Sequence, residues 1–425
     1  MTLVLFGLLV LLFALNTPIA VAVGVSAVAA FMLQGDMNLM LVTQRMYAGA
    51  DSFPLMAVPL FMIAGNLMGA GGISRRIVRL ADALVGHLPG GLAAVSVVSA
   101  MFFAGISGSA AADTAAVGAI LIPSMVRRGH TPAFAGAVQA AAGSIGVVIP
   151  PSIPMIVFGV LTGASIGKLF AAGIVPGIMA GLSLITVCVL HAKRHGWQPE
   201  HGFSLREVAS AFRHALWALG APVIILGGIL GGVFTATESA AVAVFYALFA
   251  GLFIYREITP RQMPGLILQA GITSSIILFI ICSASVFSWY MAIQDIPAGI
   301  AEWLTGITTN PVLLLLLVNC LLLLAGTILE TTAALILFVP VLLPLLPALG
   351  LDVIHLGIIV VMNLAIGMLT PPMGVCLIVS CSIASTRLES ITRAILPFLL
   401  ALIVNLALVC LFPQIALVVP DMLFK

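Results

Sequence analysis

The sequence contains very little charge. Only 7% of its 425 residues are Asp, Glu, Lys or Arg, whereas 62% are hydrophobic and the mean hydropathy is +1.28. Soluble domains carry about 25% charged residues, so this composition excludes an ordinary water-soluble protein. The net charge of +2 is also too small to favour nucleic acid as a partner.

Motifs of the common enzyme and metal chemistries are missing as well. The sequence has no HExxH motif and no Walker A motif. Its six cysteines lie in apolar stretches without metal-ligand spacing, so we interpret them as small buried hydrophobic residues. The first apolar segment has no basic start and runs into Asn16–Pro18, so we expect no cleavable signal peptide.

Long apolar runs dominate the sequence instead. A membrane-spanning helix needs about 20 apolar residues, and the sequence offers about eleven such segments. Two short arms at 91–106 and 110–125 flank a Gly/Ser-rich break, which makes a re-entrant hairpin more plausible than two crossings. A second hairpin is predicted at 311–347, with arms at 311–325 and 331–347. Amphipathic stretches are expected at 73–88 and 295–304, and spans near 2–15, 18–34, 53–70, 132–165, 170–190, 215–233, 238–255, 266–290, 354–385 and 395–418.

Short motifs recur at a displacement of 221 residues. Ile145–Gly146 returns as Ile366–Gly367, and Pro150–Pro151 returns as Pro371–Pro372. Two such halves in an apolar chain are typical of transporters built from an internal repeat. We therefore predict a first repeat at 1–190, a linker at 191–214 and a second repeat at 215–425.

The basic residues predict the orientation of these spans. With the N-terminus outside, 13 of the 16 Lys and Arg residues fall in cytoplasmic loops, which leaves Arg45, Lys168 and Lys425 outside. The first span of one half then runs opposite to its counterpart, so the repeats are predicted to be inverted. Both termini are expected on the periplasmic side.

Four interruptions at membrane depth carry the predicted chemistry. They are the hairpin tips at 107–109 and 327–331 and the breaks at Pro150–Pro151 and Pro371–Pro372. Irregular backbone at this depth is tolerated only when it is buried or lines a cavity. Carbonyl groups freed by proline suit a cation such as Na⁺, and the N-termini of half-helices attract an anion. We therefore expect two cation sites around one anion site.

Three acidic residues interrupt the apolar stretches, and their roles stay open at this point. Asp113 and Glu330 follow or occupy the two tips and are candidate ligands, proton carriers or helix caps. Glu238 begins a predicted helix, where the helix dipole alone favours an acid. On the outer side, Arg45 either pairs with Asp51 or helps to attract an acidic substrate or partner.

The motifs resemble those of one transporter family over essentially the whole chain. The sequence is similar to the DctM-type large membrane subunit of tripartite ATP-independent periplasmic (TRAP) transporters. The runs that carry the resemblance, in chain order, are Leu15–Ala20, Asp51–Phe61, Gly105–Asp113, Ile149–Met155, Thr235–Ala241 and Gly367–Gly374.

The resemblance implies a Na⁺-coupled elevator transporter that imports acidic solutes. Such subunits work with a small four-helix membrane subunit of the DctQ type and a periplasmic binding protein of the DctP type, in the bacterial inner membrane. Because this chain starts directly at its first span, we expect a separate small subunit. Candidate substrates include C4-dicarboxylates, sialic acids and other organic acids.

The resemblance also implies which residues hold the ions. One Na⁺ site is expected at Ser107, Ser109, Gly146, Ile149 and Ser152. The symmetric site is expected at Gly326, Gly367, Thr370 and Met373, mostly through main-chain carbonyl groups. The displacement of 221 residues pairs the last three of these with Gly146, Ile149 and Ser152. The anion site is expected between the tips, near Ser109 and Thr331, with Arg45 as a further substrate residue.

Two other functions remain possible from the sequence. A stand-alone carboxylate transporter of a related elevator fold would need neither small subunit nor binding protein. An intramembrane hydrolase would use Ser107 or Ser109, but no histidine is expected in the same membrane layer of the first hairpin to act as a base, and the surroundings are not a nucleophile elbow.

Overall fold

The protein is built from α-helices, as the sequence predicts. A computed structural model describes residues 2–35, 39–199 and 202–424, and no strand occurs within these ranges. Nine of the helices described are long and apolar enough to cross a membrane. This is the architecture of a multi-pass membrane protein, in which helices satisfy their own backbone hydrogen bonds. Lys425, placed on the outer side above, lies outside the described residues.

Ten α-helices are described in the first half. Several begin with a polar residue that accepts a hydrogen bond from the first turn: Thr131 Oγ1 accepts from Phe134 N–H at 3.2 Å, and Ser165 Oγ accepts from Lys168 N–H at 3.3 Å. In chain order the helices are α1 (Thr2–Ala14), α2 (Ile19–Gln34), α3 (Met40–Ala50), α4 (Ala57–Ala70), α5 (Ile73–Val85), α6 (Gly91–Ser107), α7 (Ala110–Arg127), α8 (Pro132–Ser144), α9 (Ile153–Thr162) and α10 (Ile166–Arg194).

Eleven α-helices are described in the second half. They are α11 (Leu205–Leu230), α12 (Ala236–Phe249, continued by a π-turn), α13 (Met263–Ile293), α14 (Ile296–Ile307), α15 (Pro311–Ile328), α16 (Thr331–Leu342), the short α17 (Leu346–Leu349), α18 (Val353–Gly367), α19 (Val375–Ala384), α20 (Leu388–Leu411) and α21 (Gln414–Leu423).

Three details differ from the sequence predictions. Helix α3 was not predicted, and it packs against α13. The expected linker is partly helical, because α10 continues to Arg194 and α11 already starts at Leu205. The predicted last span is divided between α20 and α21.

The first hairpin forms, although one reason for expecting it is wrong. Helix α7 has 18 residues and is long enough by length and composition to cross a membrane, so shortness does not define this arm. The hairpin is defined by its packing instead, because α6 lies against α7 and the turn between them meets the break between α8 and α9.

The contacts between the two halves are reciprocal. By the displacement of 221 residues, α2 corresponds to α12 and α4 to α13. Helix α2 lies against α13, and correspondingly α12 lies against α4. Likewise, α9 packs on α16 and α18, while α19 packs on α7 and α8. Each half therefore completes the packing of the other.

Helices α8 and α18 form the centre of the molecule. Every residue of α8 from Phe134 to Ser144 is buried, and so is every residue of α18 from Ile354 to Gly367. A helix that is apolar all round is stable only when it is covered on every side. Both helices end at a break, so the two breaks are held by the best-packed part of the protein.

Candidate functional site

The two breaks have the same construction. After α8 the chain makes a short 3-10 turn and passes through Pro150–Pro151 before α9 begins. After α18 it passes through Pro371–Pro372 before α19 begins. Both Pro–Pro peptide bonds are cis.

Each break meets the tip of one hairpin. Gly108, in the first tip, has φ of 63°, and its carbonyl accepts a hydrogen bond from Ile153 N–H at 3.3 Å. A Cβ at this position would lie 2.6 Å from the Pro151 carbonyl oxygen, so only glycine fits. At the second tip, Met373 N–H donates to the Thr327 carbonyl at 3.2 Å.

A buried carboxylate faces the first break. Asp113 is fully buried, and Ser107 Oγ donates a hydrogen bond to its Oδ1. Its Oδ2 has no hydrogen-bond partner and lies against Gly146, where any added Cβ would overlap it. The hairpin tip thus fixes one carboxylate oxygen through Ser107, while the other, unpaired oxygen faces Gly146 of the break. The sequence marked Asp113 only as an acid in an apolar run and left its role open.

The other predicted residues of the first site line the same junction. Ser109 precedes α7, and its N–H donates to Ser107 Oγ at 3.2 Å. Ser152 is buried and caps α9: its Oγ donates to the Val147 carbonyl at 2.5 Å and accepts from Met155 N–H at 3.3 Å. The Ile149 side chain points away towards Gly177 of α10, so only its main chain can serve a ligand here.

Residues predicted for the second site also lie close together, but through their backbone. A Cβ added at Gly367 would lie 2.6 Å from Gly326 Cα, so the two backbone segments touch at these glycines. Thr370 Oγ1 donates to the Ile366 carbonyl at 3.2 Å. The Met373 side chain is 49% exposed and turned outwards. No acidic side chain within the described residues occupies the place that Asp113 has in the first site, because the corresponding residue is Ala334.

Glu330 and Glu238 act as helix caps in this structure. Glu330 Oε2 accepts from the N–H groups of Thr332 at 2.9 Å and Ala333 at 3.4 Å, at the start of α16. Glu238 forms a reciprocal capping box with Thr235 at the start of α12. Glu238 thus lies at the start of a helix, as predicted, and its hydrogen bonds with Thr235 account for its position there.

A cavity of about 500 Å³ lies between the two tips. It is mostly apolar, and its polar side chains come from Ser109, Thr273, Glu330 and Thr332. Thr331, predicted at this site, is buried behind it with its hydroxyl unpaired, while its neighbour Thr332 lines the cavity. The lining also includes Pro18–Val21, Met62, Gly108, Ala110, Ala111, Val147, Ile153, Pro154, Ile276, Ile277, Phe279, Ile280, Met368 and Val375.

The N-terminal ends of four half-helices line this cavity. They are the starts of α7, α9, α16 and α19, and the start of α2 adds a fifth. Each helix start carries a partial positive charge and unpaired N–H groups. The Glu330 carboxylate already occupies the start of α16, whereas no side chain caps α7 or α19. The cavity can therefore receive an anion without a basic side chain.

Arg45 lies elsewhere. It is exposed on α3, with its guanidinium 4.8 Å from the centre of the Trp289 ring. The alternative pairing with Asp51 is not formed, because the ion pairs between described residues join only Arg75 and Arg76 to Glu257. Arg45 does not line the central cavity.

Comparison with known proteins decides the family. The family model of the DctM component of the tripartite ATP-independent periplasmic transporter matches residues 6–415. The chain belongs to the DctM family. It is thus a membrane transport subunit and not an enzyme, as the similar proteins named as permeases also indicate.

Several DctM proteins are similar over most of their length. The isethionate TRAP permease DctMQ of Oleidesulfovibrio alaskensis is 43% identical over 97% of this chain, which spans only 65% of that protein. The C4-dicarboxylate permease DctM of Pseudomonas aeruginosa is 40% identical, over 95% of this chain and 94% of its own. The sialic acid permease SiaM of Vibrio cholerae is 38% identical, over 98% and 97%.

Two solved transporters share the fold. The YdaH transporter of Alcanivorax borkumensis superimposes with a TM-score of 0.62 at 16% identity, over 88% of this chain and 87% of its own. MtrF of Neisseria gonorrhoeae gives 0.57 at 15% identity, over 90% and 85%. At such identities the likeness concerns the fold alone.

Proposed function

We propose that this DctM protein is the large subunit of a Na⁺-coupled symporter that imports acidic solutes. The observation that carries the proposal is the central cavity, where four half-helix N-termini meet next to a buried, unpaired carboxylate oxygen. The N-termini suit the negative charge of a solute. The carboxylate and the surrounding carbonyl groups suit a cation.

The cation ligands favour Na⁺. In the first site we assign Asp113, Ser107 and the carbonyl groups of the break near Gly146 to the ion. Hard cations prefer oxygen ligands, and a single carboxylate provides too little negative charge for a tight divalent site. In the second site we assign the main chain around Gly326, Gly367 and Thr370. The Na⁺ ions would supply the driving force and the positive field next to the solute.

The substrate class follows from the cavity and from the relatives. The similar permeases are named for isethionate, C4-dicarboxylates, sialic acid and 2,3-diketo-L-gulonate, all of which are organic acids. The mostly apolar lining of this cavity, with hydroxyl groups and helix starts, fits a small organic anion.

The packing supports an elevator mechanism. The two hairpins, α8, α9, α18 and α19 exchange contacts across the halves and would move as one transport domain. The pairs α2–α13 and α4–α12, with α5 and α14, would form the fixed scaffold. The reciprocal contacts also support the two inverted repeats at 1–190 and 215–425. The cavity is lined by Pro18, which the distribution of basic residues puts at the cytoplasmic end of α2, and this supports assigning the structure to an inward-facing state.

The partners and the location follow from the family. We infer an inner-membrane protein with periplasmic termini, a small DctQ-type membrane subunit and a periplasmic binding protein that delivers the solute. The relative named DctMQ, of which this chain spans only 65%, is consistent with a second subunit fused in that protein.

Uptake in proteoliposomes tests this function. The large and small subunits are reconstituted, and the cognate binding protein loaded with radiolabelled acid is added outside. We expect uptake that needs an inward Na⁺ gradient. Equal uptake with K⁺ in place of Na⁺ would refute the coupling. Equal uptake without the binding protein and the small subunit would instead support a stand-alone transporter.

A further inference from the structure

We propose that a second cavity, on the other side of the first hairpin tip, is the cytoplasmic exit for the cation bound at Asp113. On this route the cation would contact the side-chain amides of Asn66 and Gln269, which line the second cavity. The proposal rests on the Na⁺ coupling proposed above and names a route and residues that coupling alone does not require.

The second cavity has a volume of about 380 Å³ and lies between α4, α7 and α13. The tip separates it from the central cavity: Ala110 and Ala111 face the central cavity, whereas Ala112 and Ala116 face the second one. Met62 of α4 borders both. The hairpin tip therefore stands between two spaces that have different linings.

Ser107 connects the cation site to the second cavity. Its hydroxyl is bonded to Asp113 and to Ser109 N–H, and Ser107 lines the second cavity but not the central one. An ion beside Asp113 thus has the Ser107 side chain between itself and this space. A solute in the central cavity does not have to leave before such an ion can move.

The lining offers oxygen to a cation. Asn66 Nδ2 donates to the Leu266 carbonyl at 3.3 Å, so the amide is fixed through its nitrogen and its oxygen is left for another partner. Gln269 is exposed although it lies inside the span Met263–Ile293. A free amide is costly in contact with lipid, so its position favours a water-filled space.

The two amides have no counterparts in the repeat. The residues displaced by 221 positions from Asn66 and Gln269 are Phe287 and Ala48. Helix α4 ends at Ala70, just before Arg75 and Arg76. Arginine residues clustered at the start of α5, next to that end of α4, indicate the cytoplasm.

Side-specific Na⁺ dependence tests the exit. Asn66→Leu, Gln269→Leu and the double variant are reconstituted with the small subunit and binding protein. For the double variant we expect at least about threefold slower uptake and about a threefold shift in the internal Na⁺ that halves the rate. The external Na⁺ that gives half-maximal uptake should change less than twofold, about the error of such comparisons. Ser275→Ala on α13, whose hydroxyl bonds its own helix, is the matched control.

Unchanged internal Na⁺ dependence, or an equal shift on both sides, would overturn the exit while leaving Na⁺ coupling intact. Wild-type uptake without any Na⁺ dependence would overturn both proposals. If the leucine variants do not fold, cysteine labelling decides. Ala116→Cys should react with a membrane-impermeant thiol reagent from the cytoplasmic side, and Ala119→Cys, exposed on α7 but outside the cavity, should not. No reaction at position 116 would refute a water-filled exit.

Discussion

Replacing Asp113 by asparagine tests whether this residue is a cation ligand or only supports the fold. The amide keeps one oxygen, which can still accept the hydrogen bond from Ser107 Oγ. It places an NH₂ group where the unpaired Oδ2 faces Gly146. Volume and one hydrogen bond are preserved, while the negative charge is lost and a donor points at the cation. We therefore expect Na⁺ binding to weaken while the fold persists.

The size of the effect follows from the burial of the group. A unit charge about 4 Å from a cation contributes about 4 kcal/mol at an effective dielectric constant of about 20. Removing the carboxylate from water offsets part of that gain, because buried charges are costly. A net loss of about 2–3 kcal/mol raises the half-saturating Na⁺ concentration about 30- to 150-fold.

Two measurements check this expectation. Uptake as a function of external Na⁺ gives the half-saturating concentration, and Na⁺-dependent thermal stabilisation reports binding without transport. Glu330→Gln is the matched comparison, since both Glu330 oxygens already accept hydrogen bonds within α16. It should cost about 1 kcal/mol of stability as a weakened cap and shift Na⁺ dependence little. A larger shift for Glu330→Gln than for Asp113→Asn would refute the assignment.

Two further substitutions test the second site and a cap. In Gly367→Ala, a Cβ 2.6 Å from Gly326 Cα pushes two backbones apart, which should cost about 1–3 kcal/mol, lower the melting temperature and abolish Na⁺-driven uptake. Gly227→Ala, where a Cβ meets nothing within 4 Å, should leave both unchanged, and equal loss in the two variants would contradict the close approach. Glu238→Ala removes the capping box with Thr235 and should lower the melting temperature with unchanged Na⁺ dependence of uptake, so a shifted dependence would argue for a ligand role.

The breaks and hairpins were predictable because their signals are local. Proline removes a backbone donor wherever it stands, so Pro150–Pro151 and Pro371–Pro372 end α8 and α18 regardless of the surroundings. Gly108 likewise marks a turn by its own conformational freedom.

Helix α3 was not predictable in the same way. Its sequence, Met40–Ala50, is short and contains polar residues, which gives no clear apolar run. It is held by tertiary contacts instead: Gly49 lies so close to α13 that a Cβ there would be 2.6 Å from Ser285 Cβ, and Arg45 covers Trp289. Such contacts decide short helices more than intrinsic propensity does.

The role of each acid also depended on the structure. Asp113 and Gly146 are far apart in sequence, and only the folded hairpin brings the carboxylate to the break. The repeat could not reveal this contact, because it predicts equivalent residues and the two halves differ at these positions. Glu330 stands where the first half has Ser109, and Ala334 stands where it has Asp113.

The acidic residue of the hairpin therefore stands at different positions in the two halves, Asp113 in the first and Glu330 in the second. In the first half it faces the break and can neutralise a bound cation, while Ser109 leaves the start of α7 without a side-chain cap. In the second half it caps α16, and the site beside Gly367 is left with neutral carbonyl groups. A cation at the proposed second site would then face no carboxylate across the break, so we expect its binding to depend more strongly on the negative charge of the solute between the tips. The two proposed cation sites would thus differ chemically, and we expect the solute to strengthen Na⁺ binding at the second site more than at the first.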